Sequence, residues 1–175
     1  MIETERLLLR PHIASDFSGY KAMSQDPQVM QFIGRKPSTD DEAWLRFLAN
    51  FGRWDLLGYG LFAIIEKETN QYIGDAGFSD FRRGLGPSFD PYHEAAWILA
   101  TAGQHKGYAL EAMTAAHHWI EAEFGPEKTV CIISPENKPS LRLASKLCYV
   151  ETGMDHYKDG EVIKFERAAQ KPSPL

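Results

Sequence analysis

The chain has 175 residues, 43% of them apolar and 25% charged, the balance of a soluble globular protein with room for one domain and a sizeable core. A formal net charge of −5 argues against broad binding to nucleic acid or to an anionic membrane, either of which favours a basic face. No apolar run approaches a membrane span, and the opening MIETERLLLRP carries charges inside its apolar stretch, so it does not read as a signal peptide. The expected location is cytoplasmic. Cys131 and Cys148 lack CxxC spacing and read as two reduced, buried thiols.

In chain order, Leu7, Leu8 and Leu9 predict a first strand closed by Pro11. Ser15 or Asp16 can cap a helix carrying Phe17, Tyr20 and Met23, which runs to about Asp26-Pro27. A short helical piece is expected over Val29 to Ile33. Thr39 and Glu42 have capping-box spacing, and the stripe Trp44, Phe47, Leu48 and Phe51 reads as core packing. Leu61 to Ile65 and Tyr72 to Phe78 predict two strands joined by a hairpin turn at Lys67 to Asn70. Arg82 to Pro87 reads as a loop with both arginines in solvent.

The stretch from Tyr92 to Phe124 begins as a strand, Ala95 to Leu99, and ends as a helix with Leu110, Met113, Ala116, His117, Ile120 and Phe124 at helical spacing. Gly125-Pro126 stops that helix. Thr129 to Ile133 predicts another strand, and Pro139 to Lys146 a short helix with proline in its first turn. Val150 to Ala168 is expected to fold back as a hairpin at Asp159-Gly160, with residues 1–169 forming the domain and 170–175 a disordered tail. Hairpin-built strands joined to one strand-helix-strand crossover imply a mixed α/β fold of α+β character. Its central sheet is mostly antiparallel and twisted, flanked by helices on both faces.

Between the strand and the long helix lies Ala102-Gly103-Gln104-His105-Lys106-Gly107-Tyr108-Ala109. A glycine-containing loop opening into a helix N-terminus is an anion site, because the first amides there lack intrahelical partners and sit at the positive end of the macrodipole. A P-loop needs GxxxxGK[ST], but here Lys106 precedes Gly107 and no Ser or Thr follows. A dinucleotide fingerprint needs GxGxxG and an acidic residue on the next strand, and has neither. Gln/Arg-x-x-Gly-x-Gly/Ala is met by Gln104, Gly107 and Ala109, whose small residues let a diphosphate approach the amides.

With QHKGYA and the run ENKPSLRLASKLCYVETG, the sequence resembles the GNAT superfamily of acetyl-CoA-dependent N-acyltransferases, closest to the branch of ribosomal-protein N-terminal acetyltransferases. The resemblance covers nearly the whole chain, with Cys148 standing where glycine is usual. It implies a single-domain GNAT-like fold in which the backbone of Ile98, Leu99 and Ala100 pairs with a pantetheine arm like an added strand. The amides of Gln104, His105, Lys106, Gly107, Tyr108 and Ala109 would cradle the pyrophosphate, and Asn137 and Ser140 would lie against the cofactor. The implied reaction is direct attack by a primary amine of a small molecule, peptide or protein N-terminus on the thioester of acetyl-CoA. Glu94 is then the candidate base, acting directly or through a water, and a backbone N–H near Leu99 the oxyanion donor. The tyrosine that many relatives use to protonate the thiolate falls at Ala144, leaving Ser140, and less directly Tyr149, as substitutes. A thiol of pKa about 8.5 needs little help in leaving.

The bland readings are a solvent-exposed carboxylate for Glu94, a locally bonded helical hydroxyl for Ser140 and a turn residue for Asn137. His93-Glu94-Ala95-Ala96-Trp97 fails the HExxH pattern, and His117 and His118 face different ways on a helix, so no metal is implied. The alternative function is a CoA-binding sensor or subunit without catalysis. A homodimer is compatible with the sequence. Segments 26–53 and 84–92 are expected to shape the acceptor pocket; Phe32, Trp54 and Phe78 are possible lining, with core packing as the default.

Overall fold

The computed structural model describes residues 1–34 and 36–169, so the tail expected to be disordered lies outside the described residues. The strands are β1 (Ile2–Glu3), β2 (Leu7–Arg10), β3 (Leu61–Glu66), β4 (Gln71–Ser79), β5 (His93–Leu99), β6 (Thr129–Ile133), β7 (Val150–Tyr157) and β8 (Gly160–Arg167). The helices are α1 (Phe17–Gln25), α2 (Pro27–Met30), α3 (Asp40–Leu57), α4 (Tyr108–Phe124) and α5 (Lys138–Lys146). All eight strands join one sheet in the order β1-β2-β3-β4-β5-β6-β8-β7. Every neighbouring pair is antiparallel except β5 and β6, which α4 joins by a crossover.

Local chemistry explains where the helices start and stop. Thr39 and Glu42 form the expected box at the head of α3, the Thr39 amide donating to Glu42 Oε2 at 3.0 Å. Asp26 caps α2 by accepting from the Gln28 amide at 2.8 Å. Asp16 stands at the start of α1 but makes no side-chain cap to it: it grips Arg10 through two bonds of 2.7 and 2.8 Å and accepts from the Ile13 amide at 2.9 Å, anchoring the turn after β2. The β7–β8 hairpin turns one residue earlier than expected, at Lys158-Asp159, because Gly160 already pairs with Tyr157.

Alternation along the strands sends side chains to two cores. On one face Leu7, Phe62, Phe78 and Ala95 pack against Met113, Ala116 and Ile120 of α4 and Ala144 of α5. On the other, Tyr20, Met23, Met30 and Phe47 of α1 to α3 cover Ile98 and Ala100. The α3 stripe read as core is only partly so. Phe47 is buried, while Trp44, Leu48 and Phe51 remain exposed, because α3 packs on α1 rather than on the sheet and buries only its inner edge. Phe78 lies in the α4 core against His117 rather than in a pocket, and Trp54 donates its indole N–H to Leu61 O at 3.0 Å.

Of the two thiols expected inside, Cys131 is buried but Cys148 is exposed. Cys148 follows α5 with φ +65°, a left-handed conformation that costs an L-residue about 1–2 kcal/mol and that glycine adopts freely. Cys148→Gly is therefore expected to stabilise the fold by about 1 kcal/mol, raising Tm by about 3 °C, as thermal unfolding followed by circular dichroism will show.

Candidate active site

The β5–β6 ladder is the site's first determinant. It holds for two register pairs only, His93 with Thr129 and Glu94 with Val130. Beyond them β5 stays zipped to β4 as far as Leu99, while β6 stays zipped to β8 as far as Ile133. The sheet therefore parts from Ala95 onward. Residues 96–100 are only half-buried although their strand is central. Ala100 donates its N–H to Ile73 O at 2.9 Å, so alternation turns the Leu99 N–H away from β4 and toward the parting. Gly74 lets β4 follow β5 this closely, since a β-carbon there would strike the Ile98 carbonyl.

The loop after β5 is a pre-shaped turn. Thr101–Gly103 form a 3-10 turn, Gln104 donates its backbone N–H to Thr101 O at 3.2 Å, and its side-chain Nε2 donates to Leu99 O at 3.0 Å. Gln104 thus uses both groups to fix the loop, and the free amides begin one residue later. His105 (φ +62°) and Gly107 (φ +82°) turn the chain into α4. Among the described residues, the amides of His105, Lys106 and Gly107 find no acceptor. Those of Tyr108, Ala109 and Leu110 are the orphans of a helix start. The loop side chains are committed elsewhere. Lys106 Nζ lies 3.2 Å from Glu66 Oε1, and Tyr108 donates its hydroxyl to the same oxygen at 2.7 Å. The Tyr108 hydroxyl, with Thr69 and Lys106, holds the Glu66 carboxyl well below the usual carboxylate range. Arg6 donates to Lys106 O at 2.9 Å and pairs with Glu111 at 2.6 Å, bracing the loop from β2's approach. Arg6 and Glu66 were missed in the sequence because their partners lie far along the chain.

Glu94 sits where the strands part, 3% exposed. The loop arginine read as solvated, Arg83, instead donates its Nε to both Glu94 oxygens at 2.6 and 2.8 Å and lays its guanidinium over Phe81 and Tyr157, while Arg82 does stand in solvent. Burial and Arg83 pull the Glu94 pKa in opposite directions. Burial prevails, and the carboxyl is pushed up to about 7.

Across the parting, Trp97 donates its indole N–H to Ser140 Oγ at 3.1 Å, linking β5 to the start of α5. Asn137 caps α5 by accepting from the Ser140 amide at 3.1 Å, which leaves its NH₂ without a partner among the described residues. Tyr149 turns inward, its hydroxyl 2.8 Å from Thr129 Oγ1 and 3.4 Å from His117 Nε2, so it does not face the parting. Burial drives the His117 pKa down to about 3, keeping it neutral. Among the described residues, no cluster of three His, Cys, Asp or Glu side chains is placed to hold a metal ion. No helix among them is long and apolar enough to cross a membrane.

A sheet parted beside an amide-lined helix start defines the class, an acyltransferase fold. The family description "Acetyltransferase (GNAT) domain" matches residues 6–149, and the chain belongs to that family, as a GNAT N-acetyltransferase. It is 27% identical over 152 residues to the uncharacterized N-acetyltransferase p20 of Bacillus licheniformis, covering 86% of this chain and 83% of p20. A solved GnaT-family acetyltransferase of Bordetella pertussis superposes with a TM-score of 0.84 at 35% identity, over 95% of this chain and 98% of that one. RimL, a ribosomal L7/L12 α-N-protein acetyltransferase solved with coenzyme A, shares the fold with a TM-score of 0.74 at 14% identity, over 95% and 96% of the two chains.

Arg83→Gln removes the charge that opposes burial, so Glu94 is expected to titrate above 7 in that variant and near 7 in the unmodified chain. Carboxyl-¹³C NMR of glutamate-labelled protein, with Glu94→Gln for assignment, reads both. A Glu94 resonance moving near 4.5 would overturn the assignment.

Proposed function

We propose that the chain transfers the acetyl group of acetyl-CoA to a primary amine of a small molecule, a peptide or a protein N-terminus, by direct attack of the amine on the thioester. The observation that carries this reading is the parting of β5 and β6, with a buried carboxylate at its root and unpaired amides at its far end. The residues fit the cosubstrate. Of Ile98, Leu99 and Ala100, Leu99 turns its N–H to the free edge as a strand-like donor for a pantetheine arm, whereas Ile98 faces β4 and Ala100 is bonded to Ile73 and Gly103. The amides of His105 to Ala109 offer donors to a pyrophosphate at the positive end of α4. Lys106 is neutralised by Glu66, so amides and dipole supply the attraction more than any free cation.

Acetyl-CoA supplies an activated carbonyl; the rest is the work of the chain. An amine attacks only when neutral, and a carboxyl with a pKa near 7 is matched to taking its proton at neutral pH, directly or through a water. The Leu99 N–H points into the parting, as an oxyanion donor there must. Ser140 Oγ accepts from Trp97, which leaves its own proton free to be donated toward a leaving thiolate. Asn137 holds Ser140 in place and presents its NH₂ beside the cosubstrate.

Thiol release from acetyl-CoA over a panel of amines tests the reading. Turnover is expected to rise with pH through about 7 as Glu94 ionises. Glu94→Gln is expected to lower kcat by about 10²–10⁴-fold with CoA affinity unchanged. Absence of turnover on every amine, with CoA bound in calorimetry, would sink the proposal. Ser140→Ala is expected to cost less than about tenfold in kcat, since a thiolate leaves readily at its ordinary pKa.

A further inference from the structure

We infer that the amine acceptor carries an anionic group, a carboxylate or phosphate, held by Arg53 of α3 beside Glu94. The inference rests on the acyl-transfer reading above and names the substrate class for that same site. α1 covers the sheet face opposite α4, α3 packs on α1 with Phe47 in the same core, and alternation along β5 sends Glu94 to that face together with Ile98. The Arg53 guanidinium lies over the Phe81 ring, 5.2 Å from its centroid, and that of Arg83 lies over the same ring at 4.7 Å. Arg83 in turn grips Glu94. Two cations therefore share one aromatic ring, while the carboxylate beside it serves only one of them.

The other cation is left without an acid. Arg53 donates to the neutral Asn50 Oδ1 at 3.1 Å, and among the described residues no carboxylate lies within ion-pair reach of it. Arg6, Arg10, Arg83 and Arg167, by contrast, each meet a carboxylate at 2.6 to 2.7 Å. The neighbouring acids are already engaged: Asp80 by Arg82, and Asp90 by the amides of Leu85 and Gly86. Arg53 is also half-buried, so its charge is poorly hydrated, and that burial lowers its pKa, with the Arg83 charge adding to the effect. A desolvated guanidinium with free donors matches a carboxylate or phosphate, which it binds bidentately. An acceptor whose anion sits a few bonds from its amine can place the anion at Arg53 and the amine at Glu94.

The test uses acceptor pairs that differ in the anion, with kcat/KM referred to the neutral-amine fraction of each: L-alanine against L-alaninamide for a free amino acid, and amidated Ala-Asp-Ala against Ala-Asn-Ala for an acidic peptide. In the unmodified chain, kcat/KM is expected to be at least roughly tenfold higher for the anionic member of one pair, and which pair identifies the source of the anion. Arg53→Gln is expected to erase that preference, with CoA affinity and turnover of the neutral member unchanged, and Arg53→Lys to keep part of it. Lack of preference in the unmodified chain, a preference that survives Arg53→Gln, or an equal loss on both members would overturn the inference. Turnover confined to neutral amines refutes the anion alone; no turnover on any amine refutes the acyl-transfer reading and the inference with it.

Discussion

The structure depends on a ladder that stops. β5 and β6 pair in parallel for two residues and then part. β5 is bonded to β4 along its length, β6 to β8 along its own, and α4 fills the crossover between them. Both antiparallel ladders use the outer edges of their strands, so the inner edges of β5 and β6 are left facing the parting. The opening exposes backbone donors in mid-sheet that a complete sheet would consume. Trp97 shows the local response. Its indole N–H, on a strand with no neighbour at that point, is satisfied from across the parting by Ser140.

The two ends of the parting are electrostatically different. At the Glu94 end, side chains of opposite sign are packed together out of water, and desolvation outweighs the Arg83 charge in setting the carboxyl's pKa. At the loop end, the charged side chains cancel, Lys106 against Glu66 and Arg6 against Glu111, and the field is left to backbone amides. The first arrangement suits a group that must gain and lose a proton near neutrality. The second suits fixed donors aimed at a charge that does not change. Glu94 stands near the start of β5, and the loop follows that strand's last residue, Leu99.

Much of this was legible in the chain itself. Thr129–Ile133 emerges as the strand its β-branched run implied, and the Thr39-Glu42 box opens α3 where its spacing placed it. These features are set by neighbours within a few residues. The family was legible too, because Gln104 to Ala109 and the Asn137 segment keep their spacing in sequence. The α3 stripe misled: helical periodicity says which residues share a face, but what the helix packs on, here α1, decides how many are buried, and of those four only Phe47 is. Cys148 misled for a related reason. Its apolar neighbours in sequence implied burial, whereas the left-handed turn after α5 points it outward.

Sequence alone determined the order of elements, the turn chemistry and the amide-rich loop, since each is a matter of local propensity and spacing. Tertiary structure alone decided the electrostatics. Arg83 meets Glu94 from a loop 11 residues away, Tyr108 meets Glu66 across 42 residues, and Arg6 meets Glu111 across 105. Among the described residues, Arg53 is left without an acid because of where α3 comes to rest. Partners at such separations are chosen by which strands lie side by side, and no local pattern in the chain encodes that choice.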